Sequence, residues 1–192
     1  IAPALCNKHS CHSPAISGEL TCFEHLSNPS SYQKRASHLI QGSSNPNYLD
    51  LSKVHLQSLR LTNRKFIGTR MVGTTLDRVV FERCHLSLVF LHDAFLFDCQ
   101  FEECRLSAVI LAGSELRGCR FNNCDIQRCN FIGATLTGTQ FESCDLTSSR
   151  FINGTLRKVT MSDCNLHHAH LELATISDLS TPMSNLEDAH RQ

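Results

Sequence analysis

The 192-residue chain has no net charge. Its 18 Lys and Arg balance 18 Asp and Glu, so no global field draws it to nucleic acid or an anionic membrane. It lacks any run of 18 apolar residues, so no segment reads as a membrane span. Its first residues lack a basic stretch followed by an apolar run, and so do not read as a secretory signal. Its 11 cysteines are odd in number and do not read as a secreted disulfide framework. Hydrophobic residues make up 41% of the chain, enough for a core. The length suits one ordinary domain, or an elongated repeat domain with an appendage.

The dominant feature is a period of five. From Leu51 to Ile176 every fifth residue is large and apolar, 26 times without a break. Neither a 3.6-residue helix nor a two-residue strand produces this spacing. Two residues before each of these anchors, from Val79 onward, sits a small or thiol side chain such as Cys84, Val89, Ala94 or Cys99. Residues two apart on an extended backbone face the same side, so both positions point inward. The other three residues of each five are mostly polar and face out.

A second period of 20 overlies the first: FERCHL at 81–86, FEECRL at 101–106, FNNCDI at 121–126, FESCDL at 141–146 and MSDCNL at 161–166. One turn of the chain therefore takes 20 residues. Phe81, Phe101, Phe121 and Phe141 are placed in one internal column, continued by Met161. Cys84, Cys104, Cys124, Cys144 and Cys164 are placed in an adjacent one.

With CysAspIle at 124–126, CysAspLeu at 144–146 and CysAsnLeu at 164–166, the pattern resembles the pentapeptide-repeat family. Phe95, Ile110, Arg120 and Arg150 depart from the family's Asp or Asn before the anchor without disturbing the register. The resemblance implies an all-β fold, a right-handed parallel quadrilateral β-helix with four pentapeptides per coil. About six and a half coils, at roughly 4.8 Å each, make a rod about 30 Å long. Buried free cysteine behaves as a small hydrophobe, and parallel stacked side chains give poor disulfide geometry. The thiol column therefore reads as core packing in an intracellular, reducing compartment, cytoplasm or nucleus.

The ends divide the rest: 1–26 a Cys/His module, 27–50 a connector, 51–178 the solenoid and 179–192 a C-terminal cap. Loop signals at 27–31 and 42–47 flank an expected short helix over 31–41. Thr181 and Pro182 suggest a short helix over 182–190.

In the first module, Cys6, Cys11, Cys22 and His25 form the best ligand set for zinc. Two short spacings flank a ten-residue interval, so two knuckles can pinch one tetrahedral ion. His9 and His12 are alternate ligands. So short and polar a segment cannot build a core, and a metal would supply its folding free energy. The competing reading is a disordered tail with incidental cysteines and histidines. With four protein ligands the zinc is structural.

Outside the solenoid, Phe90 and Ile110 on one side of a row of anchors, and Val72, Ala112, Ile132 and Ile152 on the other, make two apolar stripes on one face. Phe95 and Phe97 add apolar surface on the next. Exposed contiguous apolar patches mark partner surfaces; the alternative is cover by the chain's own segments. The expectation is a non-catalytic scaffold that binds a protein partner or a second copy of itself through this face. No catalytic residue is assigned. The alternative is an enzyme or small-ligand binder using a cleft between module and solenoid, with His92 or His167 as candidates. Some members of the family bind topoisomerases by imitating DNA, which needs an acidic surface. Residues 51–176 carry 12 acidic and 14 basic side chains, which argues against that role. Direct nucleic-acid binding is disfavoured too, because no aromatic residues interleave with the basic ones.

Overall fold

The structure is a computed structural model describing residues 4–42 and 45–191. Ser43 and Ser44, in the second expected loop, lie outside the described residues. The chain forms a β-solenoid of about six turns, with one helix before it and a short 3-10 turn at its end. In the first coil, β1 (His55–Gln57), β2 (Arg60–Thr62) and β3 (Lys65–Ile67) occupy three successive faces. Each pairs in parallel with the strand 20 residues later, Leu56 with Leu76, Leu61 with Phe81 and Phe66 with Leu86. The fourth face is held by single parallel bridges running from Asp50 through Arg70, Phe90 and Ile110 to His190.

The residue two places after each anchor turns the corner. It adopts positive φ, as at Lys53 (63°), Leu88 (52°) and Gly113 (66°). Glycine takes this conformation freely, whereas a leucine there is strained. The tolerance of Arg, Leu, Asp and His at these corners hides the turn from a search for glycine signals.

Inside the tube two aromatic ladders form. Phe81, Phe101, Phe121 and Phe141 stack with ring centroids 4.6–4.8 Å apart. Phe131 and Phe151 stack at 4.7 Å on the opposite face and meet Phe141 edge-on across the tube, at 6.4 and 6.3 Å. Both arrangements suit the ring quadrupole.

The thiol column is buried as expected, and all 11 cysteines are free. The structure adds a role that packing alone did not suggest. Each thiol donates to a carbonyl 23 residues earlier, Cys104 to Phe81 and Cys124 to Phe101, both at 3.3 Å. Thr74, Thr139 and Ser149 donate in the same way to Leu51, Leu116 and Ile126. The small position is thus a hydrogen-bonding rung between coils, open to Cys, Ser or Thr. Burial pushes the Cys129 thiol up to about 12, so it stays protonated and able to donate.

Before the first coil, α1 (Pro29–Gly42) is longer than the sequence suggested. Asn28 caps it, its side-chain oxygen accepting from the Ser31 N–H at 2.9 Å, and Pro29 fits its first turn. Tyr32, Ala36 and Ile40, spaced by four, are buried against the first coil. The segment read as a connector is therefore the N-terminal lid of the tube.

At the other end the expected helix over 182–190 does not form. Only Leu186–Asp188 makes a 3-10 turn. The segment instead continues the solenoid register. The Asp163 N–H donates to the Pro182 carbonyl and the Leu171 N–H to that of His190, while Ser184 occupies a small position and donates to Met161. A helix would remove these acceptors from the preceding coil, whose edge groups need partners. Among the described residues no full coil follows Ile176, and this last anchor is 45% exposed.

Candidate metal centre

Two turns build the centre. In the first, the Cys6 N–H donates to the Ser13 carbonyl and the Cys11 N–H to that of Lys8, with Ser10 at positive φ. An antiparallel bridge between Leu5 and Pro14 closes this knuckle. In the second, Phe23–His25 forms a 3-10 turn, the His25 N–H donating to the Cys22 carbonyl. The two turns bring the Sγ atoms of Cys6, Cys11 and Cys22 and a ring nitrogen of His25 within 4.8 Å of one another.

Three of the six edges of this cluster match a zinc tetrahedron, and the others lie within 4.8 Å. With Zn–S near 2.3 Å and Zn–N near 2.0–2.1 Å, a tetrahedral site has S–S edges of about 3.8 Å and S–N edges of about 3.5 Å. Cys11 and Cys22 Sγ lie 3.8 Å apart, and His25 Nδ1 lies 3.5 Å from Cys6 Sγ and 3.3 Å from Cys22 Sγ. Cys6 and Cys22 are buried and Cys11 partly so, while His25 stands on the rim. Burial opposes ionisation of Cys6. The backbone N–H groups of Cys22 and Lys8, with the side chains of His25 and Cys11, outweigh it and bring the pKa down to about 6. Burial pushes the Cys22 thiol up, and its contacts with Cys11 and Cys6 add to the rise. The alternates His9 and His12 are exposed and outside the cluster; His9 Nδ1 sits 2.8 Å from Ser10 Oγ instead.

The module is locked onto the solenoid. Ile16 is 3% exposed within the core cluster, and Phe23 and Leu26 pack against it. Ser17, Tyr32 and Asp50, none of them singled out by the sequence, form the joint. Between module and solenoid lies a cleft of about 140 Å³ bordered by Ile16, Cys22, Glu24, Asp50, Lys53 and Arg70. This is below the roughly 300–1,000 Å³ of sites that enclose cofactors or drug-sized ligands. Neither His92 nor His167 lines it; His167 faces Asp188 at the far end.

The residues assigned to a partner surface point outward. Phe90, Ile110, Ile132 and Ile152 are half-buried on the fourth face, with Arg70 5.7 Å over the Phe90 ring. Phe95 is exposed and Phe97 half-buried on the adjoining face, their rings 6.5 Å apart. Asp50, Ser52, Arg70 and Val72, which border the cleft under the module, belong to the fourth face as well. Among the described residues no helix is long and apolar enough to cross a membrane.

No curated protein matches the sequence. Among solved structures, a trypsin-treated variant of QnrB1, a plasmid-mediated fluoroquinolone resistance protein, is similar with 18% identity and a TM-score of 0.51, over 76% of this chain and 70% of that one. HetL of the cyanobacterium Nostoc sp. strain PCC 7120, involved in heterocyst differentiation regulation, matches with 16% identity and a TM-score of 0.41, over 86% and 95%. A protein of the Arabidopsis thaliana thylakoid lumen matches with 20% identity and a TM-score of 0.32, over 60% and 70%. At 18% identity the likeness to the QnrB1 variant extends to the fold alone. The family model for the pentapeptide repeat region matches residues 94–171 and 124–189. Together with the unbroken five-residue register and the parallel coils, this match places the chain in the pentapeptide repeat family.

Proposed function

We propose that this protein is a non-catalytic interaction scaffold whose N-terminal module holds one structural zinc ion. The Cys6, Cys11, Cys22 and His25 tetrahedron supports the metal reading, since four protein ligands close the coordination sphere and leave no position for water. The apolar stripes of Phe90, Ile110, Ile132 and Ile152 support the scaffold reading. They lie on a regular face that needs no such residues for its own fold, because the inward anchors already fill the core. The occupant is a protein partner or a second copy of the chain. The free, buried thiols fit a reducing compartment.

Metal content by native mass spectrometry tests the first part: one zinc per chain is expected, and none in Cys22→Ser. For the second, the parent protein and a Phe90→Arg, Ile132→Arg double variant of equal thermal stability are compared in pull-downs and in light-scattering mass measurements. The double variant loses a partner or a dimer that the parent holds. Identical behaviour of the two excludes this face as the binding surface.

A further inference from the structure

We propose that metal occupancy at the Cys6, Cys11, Cys22 and His25 site controls the closure of the solenoid's N-terminal end, through the contact between Ser17 and Asp50. The proposal rests on the reading that this cluster holds a metal. A first coil has no coil before it, so its apolar interior and one row of backbone groups need another cover. Here Leu51, Val54, Leu56, Leu61 and Phe66 are fully buried. Their cover comes from two places, the inner stripe of α1 and the module residues Ile16, Phe23 and Leu26.

Neither cover stands by itself. α1 has 14 residues, and three of them are serines. An isolated helix of this length is marginal in water. From residue 4 to 26 the module buries only Cys6, Ala15, Ile16 and Cys22, too few to fold without a cross-link. Each therefore depends on the other and on the first coil. The joint is specific. The Ser17 N–H donates to the Asp50 carbonyl at 2.9 Å, and the Asp50 N–H donates to Ser17 Oγ at 2.7 Å. The Tyr32 hydroxyl donates to the Ser17 carbonyl at 3.0 Å, which ties α1 to the same point. Ion pairs from Glu19 to Arg35 and from Glu24 to Lys53 flank it.

The ligands frame the covering residues. Ile16 and Ser17 lie in the loop between Cys11 and Cys22, and Phe23 lies between Cys22 and His25. Drawing the four ligands to one ion fixes that loop and turn. Releasing the ion frees them, so Ile16 and Phe23 leave the core, Asp50 loses Ser17, and α1 is held by its own stripe and the bonds of Gln33 and Gln41 to His55 and Arg64. Coils farther along keep their neighbours on both sides, so the opening stays local. A repeat array, whose coils contact mainly the next in line, allows this.

Hydrogen exchange on the full chain tests the proposal, with zinc present or stripped by a chelator, and residues 136–151 as the internal reference. Stripping zinc should speed exchange over 51–67 by about tenfold or more and leave 136–151 unchanged. Ser17→Ala should still bind one zinc per chain but show the faster exchange over 51–67 with zinc in place. Unchanged exchange over 51–67 in either arm, in a protein shown to bind one zinc, overturns the proposal and leaves the metal site standing. Faster exchange throughout, 136–151 included, also overturns it, because the metal would then stabilise the whole chain. A protein that binds no zinc removes both the metal reading and this proposal.

Discussion

Ser17 and Asp50 exchange two hydrogen bonds, N–H to carbonyl at 2.9 Å and N–H to hydroxyl at 2.7 Å, across 33 positions of sequence. Asp50 also opens the fourth face of the solenoid and pairs with Arg70 at 3.0 Å. One residue thus joins the Cys/His module to the first rung of the repeat.

Zinc binding should release protons. Metal ligands bind as thiolates. The raised pKa of Cys22 keeps that thiol protonated at pH 7 in the metal-free protein, whereas Cys6, at about 6, has already lost its proton. Titration calorimetry in two buffers of different ionisation enthalpy should show at least one proton leaving per zinc. Affinity should weaken as pH falls, and more steeply below 6, where Cys6 also takes up a proton. His9→Ala and His12→Ala should keep the stoichiometry of the parent.

Phe121 is costly to remove. It stacks on Phe101 at 4.6 Å and on Phe141 at 4.8 Å, so Phe121→Ala opens a gap in the middle of a ladder. A loss of about 3–5 kcal/mol is expected from urea denaturation. Leu173→Ala, at a side chain 78% exposed, should change stability by less than about 0.5 kcal/mol.

The rung role of the thiols is separable from their size. Cys124→Ser keeps a donor for the Phe101 carbonyl, as Ser149 does for Ile126, and should cost less than about 1 kcal/mol. Cys124→Leu overfills the slot and should cost about 1–3 kcal/mol. If serine proves the more damaging of the two, the thiol acts as packing alone.

Leu88 turns a corner at φ 52° with its side chain 53% exposed. Asparagine tolerates this backbone where leucine is strained. Leu88→Asn should therefore raise stability by about 0.5–1 kcal/mol, read as a higher urea midpoint at unchanged slope.

The interior follows from the repeat alone. A period of five with a large residue at one position and a small one two places earlier admits one inward face per five residues, and the 20-residue echo sets which residues stack. Phe81 over Phe101 and Cys84 beside Cys104 follow from that arithmetic. The Cys/His cluster was legible too, because soft donors at short spacings in a segment without a core have few other uses. The corners were not legible, since the left-handed residue is imposed by the coil and accepts Arg, Leu or His as well as Gly. The ends were not legible either. Thr181 and Pro182 carry a helix signal, but the edge groups of the preceding coil hold that segment extended. It took the folded chain to show that Ser17 meets Asp50, that α1 closes the tube, and that His25 faces the thiols through Nδ1 while His9 and His12 stand outside the cluster. Those are contacts between segments without a shared period, and they are fixed by which backbone groups and apolar surfaces the first coil leaves uncovered.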